Sequence, residues 1–256
     1  MKRVLIAGLG LMTVFVIGVK LLAVTRDRSE RRRLIEEQEQ VLLPQPEEPA
    51  LQPPSAGAVF SSLRAEVNWD VPFTPQAPHA RWDALHQEAC EEASVLMVLR
   101  YFSRRPISSP DDAERGILHL VAANEALGFG IDDTAEEAAA LLLSQDSSLS
   151  VTLLRSPSVD DLKAALSEGS LIIVPVAGQQ LFNPYFQSPG PRYHMLVLRG
   201  YTDDFAITND PGTRHGKQFA YRWDVLMNAI HDWNGGEVES GEKVVVVVSG
   251  PNKDEK

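Results

Sequence analysis

One cysteine stands in 256 residues, Cys90, in the stretch Gln87-Glu88-Ala89-Cys90-Glu91-Glu92-Ala93-Ser94-Val95-Leu96-Met97. Apolar residues from Ala93 to Phe102 recur at helical spacing, so the thiol falls where a helix begins. Unpaired N–H groups and the positive end of the helix dipole favour a thiolate there. A thiolate attacks carbonyl carbon, and that chemistry also needs an imidazole to carry the proton and a third group to orient the imidazole. It needs donors for the developing oxyanion as well. His194 opens one apolar strand and Asp210 closes the next. In an antiparallel hairpin those positions share an end, so they can meet although they are sixteen positions apart. Gln76, on an extended stretch upstream, is the candidate side-chain donor to the oxyanion, and Gln87 is a nearer rival. Asn209 rivals Asp210 as orienter, because strand alternation sends only one of them to the His194 side.

Each of these residues has an ordinary structural reading when taken alone. Most free cysteines are small core residues. A histidine at a strand start is commonly a satisfied core group, and an aspartate before Pro-Gly is a common turn former. It is the order Gln, Cys, His, Asp on one extended segment, one helix start and two adjacent strand ends that is uncommon. Trp82 and His86, just upstream of Cys90, and the loop from Gly178 to Arg192 are candidates for a substrate groove. His79 also lies near Cys90. His119 falls mid-helix between Leu118 and Leu120, His215 in a Gly-flanked loop and His231 near a helix end. His86, Glu88 and Cys90 do not have metal-ligand spacing. No metal or cofactor is assigned.

The elements that must position these groups follow from periodicity and breakers. Pro72, Pro75 and Pro78 make Asn68 to Asp83 an extended lead-in. The Cys90 helix runs to about Phe102 and ends at Arg104-Arg105-Pro106. A second helix spans Pro110 to Leu127, with Ser109 as N-cap and Gly128 as its stop. A third runs from Asp132 or Asp133 to Leu143. Ser150 to Arg155 is a short strand, and Ser158 with Asp161 forms a capping box for a helix to Ser167. Strands follow at Leu171–Ala177, Tyr193–Tyr201, Phe205–Asp210 and Gln218–Tyr221, then a helix at Arg222–His231. The five valines from Val244 to Val248 suit a strand buried on both faces. Helices dominate the first half and an antiparallel sheet the second, which is an α+β domain.

Ahead of that domain, residues 1–25 read as a membrane anchor. Lys2 and Arg3 precede a run from Val4 to Val24 that is apolar apart from Thr13 and Lys20, and about 20 apolar residues span a bilayer. Residues 26–62 are a charged, helix-favouring stretch followed by a Pro-rich spacer, and residues 63–256 form the folded domain. The five arginines between Arg26 and Arg33 pull the domain towards the cytoplasm by the positive-inside rule. A single anchor on a hydrolase-like domain more often exports it, and an extracytoplasmic domain is the expectation. Net charge of −11 argues against a nucleic-acid partner. One cysteine excludes an internal disulfide framework.

The phrases Val71-Pro72-Phe73-Thr74-Pro75-Gln76, Ala89-Cys90-Glu91-Glu92-Ala93-Ser94 with Met97, and Asn209-Asp210-Pro211 resemble the cysteine peptidases akin to bacteriocin leader-processing, double-glycine peptidases. These form family thirty-nine of the cysteine peptidases and have a papain-like fold. The resemblance covers roughly Val67 to Ser249. It implies Cys90 as nucleophile, His194 as general base and acid, Asp210 as orienter and Gln76 as oxyanion donor, acting on a peptide or protein substrate. Two departures stand out. Many members carry Gly-Pro after the cysteine where this chain has Glu91-Glu92, and two acids facing a thiol oppose thiolate formation. The chain also lacks the transporter domains that accompany leader-processing enzymes, so that substrate does not carry over. The alternatives are an acyl transferase, in which an amine resolves the thioester, and a non-catalytic binding module on a membrane tether. Whether Cys90 faces a cleft or the core separates enzyme from binding module.

Overall fold

The computed structural model describes residues 64–251. The expected anchor (1–25), the charged stretch and spacer (26–62), and residues 63 and 252–256 lie outside the described residues. Among the described residues no helix is long and apolar enough to cross a membrane.

Seven antiparallel strands form one sheet: β1 (Val67–Asn68), β2 (Ser150–Arg155), β3 (Leu171–Val176), β4 (His194–Tyr201), β5 (Phe205–Asn209), β6 (Phe219–Arg222) and β7 (Val244–Ser249). The order across the sheet is β2-β7-β3-β4-β5-β6, with β1 paired to β4. The valine run therefore lies inside the sheet, between β2 and β3, as its composition requires. Strand alternation builds two cores. Met195, Val197, Ile173, Val244, Val246 and Val248 face the helices Cys90–Phe102, Pro110–Leu127 and Ala135–Gln145. Ile172, Val174, Leu196, Leu198 and Val245 face the helices Val159–Ser167 and Trp223–Ala229. Each fully buried aliphatic side chain contributes roughly 1.5–3 kcal/mol by leaving water. Both faces of the sheet are thus covered, and strand sequences that are apolar at nearly every position follow from that.

The caps read from sequence are present. Ser109 accepts from the Asp112 amide, and Gly128 closes that helix in the left-handed region. Ser158 and Asp161 form the capping box. The third helix begins later than its acids suggest, because Thr134 and Glu137 form the capping box there. The Cys90 helix differs in a second way. From Cys90 to Val98 it is buried all round, enclosed by β4 and the neighbouring helices, and partial exposure begins only at Leu99.

Candidate active site

β4 and β5 pair antiparallel with Val197 opposite Asn209, and a register shift falls between Leu198 and Gly200. Asp210 lies just past that pairing, beside the open end of β4. Its carboxylate Oδ1 is 2.8 Å from His194 Nε2. The other oxygen accepts from the Tyr221 hydroxyl, which reaches across from β6, and the Gly212 amide donates to Oδ1 at 2.9 Å. His194 and Asp210 are both fully buried. Burial pushes the Asp210 carboxyl up, but the His194 ring, the Tyr221 hydroxyl and the Gly212 N–H together hold it below the usual carboxylate range. The Phe186 ring meets the imidazole edge-on, with centroids 5.4 Å apart. Gly212 is required by this packing: a Cβ there would come within 2.7 Å of Phe186 and 3.0 Å of His194.

Asn209 has other work. Its Oδ1 accepts from Arg199 at 3.2 Å and from the Gln218 amide at 3.1 Å. Its Nδ2 donates to the carbonyls of Val71 and Pro72 at 3.2 and 3.3 Å. The Gln76 amide donates to the Pro211 carbonyl at 2.9 Å. The lead-in Val71–Gln76 is thereby tied to the Asn209–Pro211 turn, more than 130 positions away in the chain. The pairing of His194 with Asp210 answers which neighbour faces the imidazole.

Cys90 is the first residue of its helix, with Ala89 as N-cap and no side chain capping it. The residue is 5% exposed. Sγ donates to Glu91 Oε2 at 2.9 Å, and the Met195 amide points at the sulfur from β4. Ser94, one turn along, bonds the Met195 carbonyl at 3.3 Å. The sulfur is therefore held at the residue next to His194. Among the described residues no hydrogen bond joins Cys90 to His194. Burial pushes the thiol well above its ordinary range, and the charge and hydrogen bond of Glu91 add to this against the Met195 amide. Glu91 itself is pushed well up by burial and by Glu92. Glu92 rises to about 7 and Asp133 to about 6, both chiefly from burial. The sequence showed two acids beside the thiol. It did not show that both turn inward, or that Asp133, Asp232 and Tyr193 gather around them.

Gln76 is buried, but both of its amide hydrogens go to main-chain carbonyls, His86 at 3.0 Å and Gln87 at 3.0 Å. It braces the segment leading to Cys90, and the atom it has spare is an acceptor, Oε1. The Gln87 side chain turns back to the Trp82 carbonyl at 3.1 Å. His86 is corrected from groove residue to buried tie. It is 3% exposed, its Nδ1 is 2.6 Å from Asp83 and its Nε2 3.0 Å from Glu114, so both nitrogens are committed. Trp82 is 44% exposed and free to meet a ligand. Among the described residues no group of three or more His, Cys, Asp or Glu side chains is placed to hold a metal ion.

A mixed protein of helices and an antiparallel sheet, with a helix-start cysteine beside a strand-borne His–Asp pair, falls in a small set of architectures. The model of the Peptidase_C39 like family matches residues 69–235, and the chain belongs to that family. The resemblance read from the Gln76, Cys90 and Asp210 phrases is borne out at that level. A crystal structure from Bacillus anthracis described as that of a C39-like peptidase is similar, at 14% identity and a TM-score of 0.49, over 72% of this chain and 97% of the other. No curated protein matches.

Proposed function

We propose that this chain is a membrane-anchored cysteine peptidase with a papain-like fold, cleaving peptide bonds through Cys90, His194 and Asp210. The observation that carries the reading is the buried His194–Asp210 pair, held at 2.8 Å and seated beside the strand amide that contacts Cys90. With Nε2 committed to Asp210, the remaining ring nitrogen, Nδ1, is the one left to take the Cys90 proton. The thiolate attacks the scissile carbonyl. The oxyanion is met by the Cys90 amide, one of the unpaired donors at the helix start, and by Gln76 once its amide turns from the His86 and Gln87 carbonyls. His194 returns the proton to the leaving amine and then takes one from the water that hydrolyses the thioester. Residues 1–25 tether the enzyme, with the domain on the extracytoplasmic side.

A second reading has its own support. The buried thiol, bonded to Glu91 and not to His194, suits a tethered binding module that keeps the fold without turnover. The test is to incubate the full chain with a peptide library and follow products by mass spectrometry. Cleavage abolished by Cys90→Ser and by His194→Ala supports the peptidase. Peptides retained uncut by both the wild type and Cys90→Ser support the binding module. Transfer to an added amine in preference to water marks the acyl-transferase alternative.

A further inference from the structure

Where a thiol is to attack, its neighbours ordinarily favour the anion. Here the neighbour is an acid. Glu91 is 1% exposed, its Oε2 takes the Cys90 hydrogen at 2.9 Å, and its Oε1 is buried with no hydrogen-bond partner. A buried carboxyl group with an unmet oxygen costs stability. Ala at this position would bear no such cost. The geometry has one evident use, which is to occupy the nucleophile's proton.

We propose that Glu91 is a catch on the nucleophile: it holds Cys90 as a neutral thiol in the resting protein, and the thiolate forms only when that hydrogen bond is broken. The inference rests on reading Cys90 as the nucleophile. In the held state the proton sits on Sγ and points at Oε2. On release it passes from Sγ to His194 Nδ1, leaving a thiolate and an imidazolium paired with Asp210, with no net gain or loss of protons. The groups facing Glu91 are Glu92 on its own helix, Asp133 just ahead of the helix Ala135–Gln145, and Tyr193 and Cys90. None is a cation, so the thiol proton and the Glu91 main-chain N–H are the groups that favour its carboxylate. Glu91 touches the reacting sulfur and acts by withholding it.

Cys90 is the only thiol in the chain, so iodoacetamide uptake by the full-length protein reports on it alone. Glu91→Gln removes the acid and keeps the shape. The expected result is alkylation at pH 7 at least about tenfold faster than wild type, as a fall of one pKa unit gives, with the rate–pH profile moved to lower pH. An unchanged or slower rate overturns the catch. Should Glu91→Gln not fold, the unmodified chain decides. Its single S–H stretching band is expected at the low frequency of a thiol bonded to a carboxyl oxygen, and is expected to persist in His194→Ala. A band at the free-thiol position, or none at neutral pH, overturns the proposal. A faster Glu91→Gln that is insensitive to His194→Ala keeps the catch and removes the peptidase reading, so the two fail separately.

Discussion

Met195 separates two halves of the site that are built in opposite ways. On the His194 side the polar groups are matched: Asp210 takes the imidazole, the Tyr221 hydroxyl and the Gly212 amide. On the Cys90 side they are not. Glu91 Oε1, Asp133 Oδ2 and Asn124 Oδ1 are buried without hydrogen-bond partners, and Glu91, Glu92 and Asp133 are each pushed towards the protonated form by burial. The imidazole is organised at folding, whereas the thiol is held back among groups that destabilise its anion. On the peptidase reading, an arrangement of this kind puts the barrier to activity in the thiol half.

Removing Asp210 should have the largest effect. Asp210→Ala leaves His194 and Tyr221 facing each other across a buried gap. It should cost about 3 kcal/mol in urea unfolding, in line with truncating one partner of a buried pair, and abolish any cleavage. Asp210→Asn keeps the shape and isolates the electrostatic part: a stable protein that has lost the dependence of Cys90 alkylation on His194. If Asp210→Asn alkylates like wild type, the matched half contributes nothing to the thiol.

The halves also carry opposite pH signatures. Asp210 has a folded pKa below its unfolded value, so its stabilisation is present above about pH 4 and is lost as pH falls through the lowered value. Glu92 has a folded value raised to about 7 from 4.5. The folded state then binds more protons than the unfolded one, and stability falls as pH rises from 4.5 to 7. Asp133, raised to about 6, acts in the same direction. The chain should therefore melt higher at pH 5 than at pH 8. Glu92→Gln should recover up to about 3 kcal/mol at pH 8, for a shift of roughly 2.5 units at 1.36 kcal/mol each, and little at pH 4. A Tm that rises steadily from pH 5 to 8 would falsify the account of the acidic half.

Gly212→Ala probes the matched half more gently. The new Cβ meets Phe186 at 2.7 Å, His194 at 3.0 Å and Asp210 Oδ1 at 3.2 Å, so the imidazole must shift. A cost of about 1–2 kcal/mol is expected for overpacking of this kind, together with slower His194-dependent alkylation. Unaltered alkylation in a folded Gly212→Ala protein would mean that the imidazole position has slack.

The contrast between the halves also marks what the sequence discloses. Most of the strands and helices of residues 64–251 lie where periodicity and caps put them, because Ser109, Ser158, Gly128 and the valine run are local signals. His194 and Asp210 were legible together because both sit at the ends of adjacent strands, where hairpin pairing fixes their approach. Asn209 and Asp210 could not be separated, since a bulge at Leu198–Gly200 changes the register locally. The direction of the Glu91 side chain was not legible either. A first-turn acid ordinarily points to solvent and serves the helix dipole, and here the helix start is enclosed. His86 misled for the same reason, because its partner Glu114 lies 28 positions away on another helix and no local pattern announces that contact.

Trp82 touches neither half, and that makes it the sharpest control. Its ring is 44% exposed, and its carbonyl is used by Gln87 at 3.1 Å whatever the side chain is. Trp82→Ala should therefore leave unfolding free energy within about 0.5 kcal/mol of wild type, as surface truncations do. It should also leave the alkylation profile of Cys90 in place, because no group that holds the thiol or the imidazole moves. If a peptide lies across the mouth of the site, the lost aromatic contact weakens ground state and transition state alike, so KM rises about fivefold at constant kcat, worth about 1 kcal/mol of stacking. A fall in kcat instead would tie Trp82 to the thiol half and show that the groove and the catch on Cys90 are one device. Constant KM and kcat would put the peptide elsewhere, on the side of Phe186 and Gly212.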